Sequence, residues 1–398
     1  MATAPPPSPP SREVGAGLCC LLTVHGVGFQ QAPGPGVPGY ADALHLALAE
    51  RLGPWLSDDP RRAPHQIGPT VPVYVTSQWP PEDGSPEAGL ARLGRLRARG
   101  RIETEGAELA RPGARIAHVA LVYAGLAGRG PDLPSLLETA ELALPSIGRY
   151  ATLRGISRLI FQDAAALLHP GEPSATSSLR VRRDSPRPTG EGSASILRQI
   201  EDDVGAYVIR NDVRERVRGF VREALLRLLL RPDVSRVVVN AHSQGTVVAF
   251  DVLRTIEPDR TVKLGALVTA GSPLRKFVVL LGWGSEVGSI RLLPRWLNFW
   301  DPDDPIADPL SPPRSWRRGE PLPQTSGLFQ ALDPDTGRLA PMAVQDLAVD
   351  NRGHVAATAL RVHDYWDNRE QFVAPLADLL MEQLASTEET TTSGPDPG

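Results

Sequence analysis

The sequence predicts an α/β fold with a mainly parallel central sheet flanked by helices. Residues 18–24 (LCCLLTV) form a continuously apolar run, which is typical of a central strand covered on both faces. Further strand-like segments rich in β-branched residues lie at 71–79, 115–124 and 237–239, and segments with helical spacing of apolar residues lie between them. This alternation favours parallel strands joined by helical crossovers.

The chain has 398 residues, of which 41% are hydrophobic, so it can bury a large core. We expect a single domain at 16–385, between a Pro-rich tail at 1–15 and a Thr-, Pro- and Gly-rich tail at 386–398. Both tails lack bulky apolar residues and are expected to be disordered. The net charge of −4 and the pI near 6.1 give no electrostatic basis for binding nucleic acid.

The two cysteines, Cys19 and Cys20, are adjacent inside the first apolar run. Successive residues of a strand point to opposite faces, so we expect two buried free thiols and a reducing compartment. The N-terminus lacks the basic start and long apolar core of a secretory signal, and no stretch reaches 18 uninterrupted apolar residues. These features predict a cytoplasmic protein without a membrane span, and they leave peripheral contact with a membrane surface open.

The first predicted strand ends in His25-Gly26-Val27-Gly28. Glycines directly after a buried strand let backbone N–H groups face a ligand, so the N–H groups of Val27 and Gly28 are candidates for half of an oxyanion hole. A tight turn is the alternative explanation for the two glycines. His25 is expected to pack and form hydrogen bonds in this loop rather than to carry protons.

The segment 40–56 has leucines at helical spacing and is predicted to form the first crossover helix. Residues 84–111 are rich in Arg and Glu and are predicted to be helical with one solvated face. An amphipathic pattern runs through 133–168, and 170–195 is polar and Pro-rich, which favours a mobile loop. We therefore predict a helical insertion at about 80–195. Its helices pack on the core or, alternatively, form a lid over a site.

A strand, a sharp turn and a helix are predicted at 236–251 (RVVVNAHSQGTVVAFD), with Ser243 at the apex. The backbones of strand and helix nearly touch in such a turn, so small residues are needed two positions before and two after its centre. Ala241 and Gly245 meet that need. The usual pattern of this nucleophile elbow is GxSxG, from which Ala241 departs by one methyl group. The alternative is a plain turn in which Ser243 caps the helix.

A helix at 213–230 leads into this strand, and a further strand is predicted at 263–269. That second strand ends in Ala-Gly-Ser-Pro, where Ser272 is a rival hydroxyl. The proline that follows it indicates a loop residue. We therefore prefer Ser243 as the nucleophile.

Four aspartates follow the strand predicted at 295–300. A nucleophilic serine needs a base, and the base needs a carboxylate that orients it. Asp304 is the preferred acid and Asp301 the runner-up, whereas Asp303 and Asp308 are expected to be solvated. The four carboxylates could instead hold Ca²⁺, but the prolines among them and the lack of a glycine at the turn position argue against a metal site.

Only two histidines lie downstream of Ser243, at positions 354 and 363. His363 precedes a C-terminal segment whose apolar residues have helical spacing. A loop histidine just before the last helix is our preferred base, and His354 is the alternative.

Together these motifs resemble serine hydrolases of the α/β-hydrolase superfamily, most closely bacterial relatives of the intracellular phospholipases with a DDHD domain. The motifs are HGVG, AHSQGTVVAFDVL, AGSPL, NFWDPDDPIADPL and VHDYW, in the order seen in α/β-hydrolase lipases. They cover residues 21–28 and 203–366, whereas 80–195 matches nothing in the family. The resemblance implies an α/β-hydrolase fold with Ser243 as nucleophile, Asp304 as acid and His363 as base. It also implies lipase, phospholipase or carboxylesterase activity on acyl esters.

The chemistry implied by these residues needs no cofactor. His363 takes the proton of Ser243, and Asp304 fixes the imidazole tautomer. The backbone N–H groups expected to bind the oxyanion are those of Gln244 and of Val27 or Gly28. Two alternatives remain: transfer of the acyl group to an acceptor other than water, and a non-catalytic binding protein that keeps the fold. A protein of the second kind would normally have lost one of the three residues.

Overall fold

The computed structural model of the chain describes residues 17–26, 38–62, 68–77, 86–97, 100–123, 207, 211–257, 260, 262–281, 295–304, 306–323, 327–332, 336, 338–354 and 361–392. The predicted tail at 1–15, the amphipathic pattern at 133–168 and the predicted loop at 170–195 lie outside these residues.

A parallel sheet forms the centre of the described structure. In chain order its strands and those of two small ribbons are β1 Leu18–Val24, β2 Leu56–Ser57, β3 Val73–Thr76, β4 Arg95–Leu96, β5 Ile102–Glu103, β6 Ile116–Val122, β7 Val234–His242, β8 Leu264–Ala270, β9 Trp296–Trp300, β10 Gln330–Leu332, β11 Leu339–Pro341 and β12 Val344–Ala348. The eight-stranded sheet has the order β12-β9-β8-β7-β1-β6-β2, with β3 also paired to β6, and all its pairings are parallel. The ribbons β4–β5 and β10–β11 are antiparallel.

Helices cover both faces of this sheet. They are α1 Asp42–Leu52, α2 Pro86–Leu90, α3 Asn211–Leu230, α4 Gln244–Leu253, α5 Leu274–Leu281, α6 Asn351–His354 and α7 Ala374–Thr392. Apolar residues of α3 and α4 pack on one face, and those of α1 and α7 pack on the other. The α/β class predicted from the sequence is therefore confirmed. Within the described residues, none of these helices combines the length and the apolar character that crossing a membrane requires.

The alternating side chains of β1 explain why its sequence is apolar throughout. Cys20 and Leu22 belong to the core under α3 and α4, whereas Cys19 and Leu21 belong to the core under α1 and α7. Both cysteines are buried and free, which confirms that expectation.

Residues 84–111 differ from the helix that the sequence predicts. Among the described residues of this range, only α2 is α-helical, and β4 and β5 form a short antiparallel ribbon. Gly94 at φ 102° and Gly100 at φ 70° have positive-φ backbone conformations that a right-handed α-helix does not contain, which explains the error. The strand predicted at 115–124 forms β6, which is part of the central sheet.

The last helix also differs from the prediction, because α7 continues past Ser386 to Thr392. The sequence predicts a disordered tail from residue 386. Each residue added to an existing helix gains a backbone hydrogen bond without a new nucleation cost, so polar residues can extend a helix that is docked by its apolar first part. Residues 393–398 lie outside the described part of the chain.

A chain of polar side chains, buried at its histidines and partly buried at its far end, links α1 to the sheet. His45 of α1 stacks on His118 of β6, and their Nδ1 atoms lie 3.1 Å apart. Nε2 of His118 lies 2.8 Å from the Thr23 hydroxyl, and Nε2 of His45 lies 2.9 Å from the Thr70 hydroxyl. Thr70 in turn donates to Asp58. Every donor in this chain therefore meets an acceptor when both imidazoles are neutral.

We predict that this histidine pair makes the fold less stable at mildly acidic pH. Burial lowers the pKa of His45 from 6.5 to about 4, against the attraction of Asp58 and Asp59, and it lowers the pKa of His118 well below its usual range. The unfolded chain takes up these protons near pH 6.5, but the folded chain does not, so stability falls as the pH drops from about 6.5 toward about 4. His45 alone accounts for a loss of roughly 3 kcal/mol over this range.

The free energy of unfolding in urea, measured from about pH 7.5 to about pH 5, tests this expectation. Most carboxylates titrate below this range, so histidines dominate the change. In His45→Gln the fall in stability toward pH 5 should be smaller than in the wild-type protein. A wild-type stability that stays constant over this range would contradict the prediction.

Candidate active site

Ser243 lies at the carboxyl end of β7, in the turn between that strand and α4. Its φ of 55° and ψ of −133° fall in a region that non-glycine residues avoid, and no other described non-glycine residue has a positive φ. The Ser243 side chain forms no cap hydrogen bond with α4, although a plain capping turn would provide one. The geometry at Ser243 is therefore that of a strained turn, and not that of a plain capping turn.

Small residues flank Ser243 because strand and helix backbones meet there. A Cβ on Gly245 would lie 2.3 Å from the backbone oxygen of Val24, at the end of β1. Ala241 is fully buried and pairs within the sheet with Val24 on one side and Thr269 on the other. The predicted need for a small residue is thus confirmed at Gly245, and Ala241 is a fully buried strand residue.

Gly26 borders the elbow from the end of β1. A Cβ at this position would lie 3.3 Å from Ser243 Oγ and 3.2 Å from the backbone nitrogen of Gln244. The missing side chain therefore leaves space beside both the hydroxyl and the first backbone N–H of α4. Val27 and Gly28, the other predicted oxyanion donors, lie outside the described residues. Sequence reasoning did not single out Gly26, although the HGVG motif contains it.

Asp304 is fully buried in the loop after β9, and both of its carboxylate oxygens accept hydrogen bonds. Oδ1 accepts from the backbone N–H of Ile306 at 2.9 Å. Oδ2 lies 2.7 Å from Nδ1 of His363 and 2.9 Å from the hydroxyl of Tyr365. Burial raises the pKa of Asp304, but the attraction of His363 and these three hydrogen bonds outweigh it and hold the pKa below its usual range. The residue is therefore a carboxylate that faces His363.

His363 lies in a short 3₁₀ turn, Arg361–His363, and is buried. Nδ1 donates to Asp304, so the neutral ring has its lone pair on Nε2. That second nitrogen is buried and has no hydrogen-bond partner among the described residues. An imidazole held in this way is ready to accept a proton.

Both His363 and Ser243 lie at the ends of β7 and β8. His242 donates from Nε2 to the backbone oxygen of His363 at 2.9 Å, and the two rings lie 4.7 Å apart. The backbone N–H of Ser243 donates to Ala270 at 3.0 Å, and a Cβ on Gly271 would lie 2.7 Å from Cε1 of His363. Among the described residues no hydrogen bond reaches Nε2, as is common before substrate binds.

Two of the alternatives considered from the sequence, Asp301 and Ser272, make other hydrogen bonds. Asp301 accepts hydrogen bonds from the backbone N–H groups of Asp303 and Asn351, each at 2.8 Å, and burial raises its pKa. The Ser272 hydroxyl is bound at 2.8 Å to a threonine of α4 inside the core. His354 belongs to α6, but its side chain lies outside the described part of the structure.

Asp308 is buried, and the expectation that it is solvated is wrong. It pairs with Lys276 of α5 and with Arg318, whose guanidinium lies 3.0 Å from the carboxylate. Arg318 also donates to three backbone oxygens of the loop that follows β9, which we call the acid loop, including the oxygen of Asp304. These two cations offset the cost of burying the carboxylate and hold the loop in place. Asp303, in contrast, is exposed as expected.

His25 packs against aromatic rings beside the site, as predicted. Its ring lies 4.9 Å from that of Trp366, 5.0 Å from that of His242 and 5.1 Å from that of Tyr40. Burial lowers the pKa of His25 to about 4 and that of His242 well below its usual range. Both imidazoles are therefore neutral neighbours of the site at pH 7.

Comparisons of the chain with protein-family models, with curated protein sequences and with solved structures find no match. The interpretation of the site therefore depends on its residues and on their geometry.

Proposed function

We propose that the chain is a serine hydrolase with an α/β-hydrolase fold, and that it cleaves carboxylic esters of acyl groups. One observation carries the proposal: the buried Asp304–His363 pair leaves Nε2 without a hydrogen-bond partner among the described residues, and the His363 ring lies 4.7 Å from that of His242, the residue before the strained turn at Ser243. A pair that served stability alone would be expected to satisfy both ring nitrogens, because an unpaired buried polar atom costs about 1–3 kcal/mol. The order of the motifs along the chain, which resembles that of α/β-hydrolase lipases, adds support.

In the first half of the proposed reaction, Ser243 Oγ attacks the ester carbonyl carbon while its proton moves to Nε2 of His363. Asp304 keeps Nδ1 protonated and stabilises the imidazolium that forms. The backbone N–H groups of Gln244 and of the loop after Gly26 bind the oxyanion, each worth about 3 kcal/mol. The carbon–oxygen bond to the alcohol then breaks, and the alcohol leaves with the proton from His363.

In the second half, water attacks the acyl-serine ester. His363 takes a proton from the water and returns it to Ser243 Oγ as the carbon–oxygen bond to the serine breaks. The acyl group leaves as a carboxylic acid, and the site returns to its starting state.

Acyl lipids are the substrate class that the resemblance to phospholipases with a DDHD domain supports. A lid formed by part of 80–195 would shield such a substrate from water during the reaction. Turnover of p-nitrophenyl esters from short to long acyl chains, with phospholipids assayed beside them, tests this choice. A rise in kcat/KM with chain length supports a lipase, whereas a maximum at the shortest esters indicates a carboxylesterase.

We also propose that the protein works in a reducing compartment such as the cytoplasm. Cys19 and Cys20 are both buried and free. Proteins of oxidising compartments commonly use cysteines in disulfides, so this state supports the assignment.

Ser243 is predicted to be the residue that a fluorophosphonate probe labels. Its oxygen displaces fluoride from phosphorus efficiently only when a base takes the serine proton, so labelling reports an activated nucleophile. We expect labelling of the wild-type protein and none of Ser243→Ala, measured by gel fluorescence and by mass spectrometry of the labelled peptide. Ser272→Ala is the matched control, and it should retain the label because this hydroxyl is bound inside the core. Labelling that persists in Ser243→Ala would identify a different nucleophile.

A further inference from the structure

The hydroxyl of Tyr365 connects the acid of the site to its own loop. Tyr365 is fully buried, donates to Asp304 Oδ2 at 2.9 Å and accepts the backbone N–H of Asp301 at 2.8 Å. The backbone N–H of Asp301 can only donate, so the Tyr365 oxygen is the acceptor in that hydrogen bond. The hydroxyl proton of Tyr365 therefore points to the Asp304 carboxylate. Burial raises the pKa of Tyr365 well above its usual range, so the proton stays on the hydroxyl.

Tyr365 and His363 share one carboxylate oxygen, because Nδ1 of His363 lies 2.7 Å from the same Oδ2. Each hydrogen bond to this oxygen neutralises part of its negative charge. With the Tyr365 hydroxyl in place, the carboxylate attracts the imidazole proton less strongly than a carboxylate bound by His363 alone.

The two rings are also held in fixed positions. A Cβ on Gly271 would lie 2.7 Å from Cε1 of His363 and 2.9 Å from Cε2 of Tyr365, so both rings pack against the same stretch of backbone. The ring planes of His363 and Tyr365 are almost perpendicular, at 87°. The hydroxyl and the imidazole therefore reach Oδ2 from different directions.

We propose that Tyr365 is a positioning residue, which holds the Asp304 carboxylate toward His363 and sets the pH at which His363 takes up its second proton. The kinetic part of this inference rests on the proposed hydrolase function. Tyr365 acts through Asp304, so its effect falls on the proton-transfer steps rather than on substrate binding.

Three titratable side chains of the described residues face His363 from neighbouring elements. His242 comes from β7, His25 from the loop after β1, and Asp304 from the acid loop. Both of these histidines are neutral at pH 7 because burial lowers the pKa of each. Asp301 binds Tyr365 through its backbone N–H, and Arg318 lies 3.1 Å from the backbone oxygen of Asp304. Removing only the Tyr365 oxygen leaves all these side chains present, so a change in the titration can be assigned to the lost hydroxyl.

Tyr365→Phe removes that oxygen and keeps the ring. The Asp304 carboxylate is then held toward His363 by one hydrogen bond fewer, so we expect kcat for a p-nitrophenyl ester to fall about tenfold. KM should change less than about twofold. The acid limb of the kcat/KM profile should move to higher pH, because the carboxylate then stabilises the imidazolium more strongly. The Nδ1 proton of His363 should move downfield in the NMR spectrum for the same reason. Tyr365→3-fluorotyrosine, which is a stronger donor, should shift the limb and the proton signal in the opposite direction.

Tyr74→Phe is the matched control. The Tyr74 hydroxyl donates to Asp42 at 2.7 Å and accepts the backbone N–H of Ala41 at 3.0 Å, which is the same arrangement at a different carboxylate. This control should lose a similar amount of stability and keep the wild-type kcat and pH profile.

An unmoved acid limb and an unmoved Nδ1 signal in both Tyr365 variants would overturn the inference, even if their stability fell as far as that of Tyr74→Phe. The NMR signal follows His363 without turnover. If the wild-type protein showed no turnover and no fluorophosphonate labelling, the proposed function would fail, while the NMR comparison would still decide the role of Tyr365.

Discussion

Alanine in place of His363 is expected to lower kcat for ester hydrolysis by about 10⁴- to 10⁶-fold. Its Nε2 is the nitrogen left to accept the serine proton, because Nδ1 is bound to Asp304. The neighbouring His242 cannot replace it, since Nε2 of His242 donates to the backbone of His363. Without a base, Ser243 is a poor nucleophile. Steady-state turnover of a p-nitrophenyl ester and the rate of fluorophosphonate labelling should fall together.

His354→Ala is the control, because His354 is the other histidine downstream of Ser243. We expect near wild-type turnover from this variant. The His363→Ala protein contains a buried carboxylate without its partner, which can cost about 3–5 kcal/mol of stability. The free energy of unfolding in urea is therefore measured beside the activity of this variant. His363→Gln is a second variant, which lacks the base but keeps an N–H donor for Asp304. Loss of turnover in His354→Ala, with activity retained in both His363 variants, would identify His354 as the base.

Strands buried on both faces are the part of this fold that the sequence predicts best. The apolar run at 18–24 becomes β1 with the same bounds, since both of its faces meet a core and its one polar residue, Thr23, is buried and hydrogen-bonded to His118. The turn at Ser243 is also predictable, because its small neighbours follow from the close approach of Gly245 to Val24. The pairing of Asp304 with His363 follows from the loop after β9 and the segment before α7, which the structure brings together at 2.7 Å. Their catalytic roles stay predictions.

Burial of single charges is what the sequence does not predict. Asp303 and Asp308 lie in the same loop, yet Asp303 is exposed and Asp308 is buried. The difference comes from Lys276 and Arg318, which reach Asp308 from elsewhere in the chain. Such pairings depend on tertiary structure, and the local sequence has no sign of them.

Tyr365 shows the same limit at the site itself. The sequence includes it in the VHDYW motif, but only the fold shows that its hydroxyl reaches Asp304. The ribbon of β4 and β5 is a further example. Charged residues at 84–111 fit a helix by composition, and two glycines with positive φ decide otherwise.

Asparagine in place of Asp304 is expected to lower kcat by about 10⁴-fold. The substitution removes the charge that stabilises the imidazolium. It also mismatches the hydrogen bonds, because the single amide oxygen can accept from Ile306 on one side or from His363 and Tyr365 on the other, but not from both sides. The measurement is kcat for a p-nitrophenyl ester, together with a pH profile that separates loss of the base from a shift in its titration.

Asp301→Asn is the matched control, since it changes the same group three residues earlier in the loop. Both carboxylate oxygens of Asp301 accept backbone N–H groups, so the asparagine should cost stability while turnover stays within about tenfold of the wild type. Asp304 forms a hydrogen bond with His363, the proposed base. Among the described residues Asp301 forms none with His363. We therefore expect the charge of Asp304, and not that of Asp301, to act on proton transfer. A larger loss of turnover in Asp301→Asn than in Asp304→Asn would reverse the assignment, and would mean that the acid loop rearranges when substrate binds.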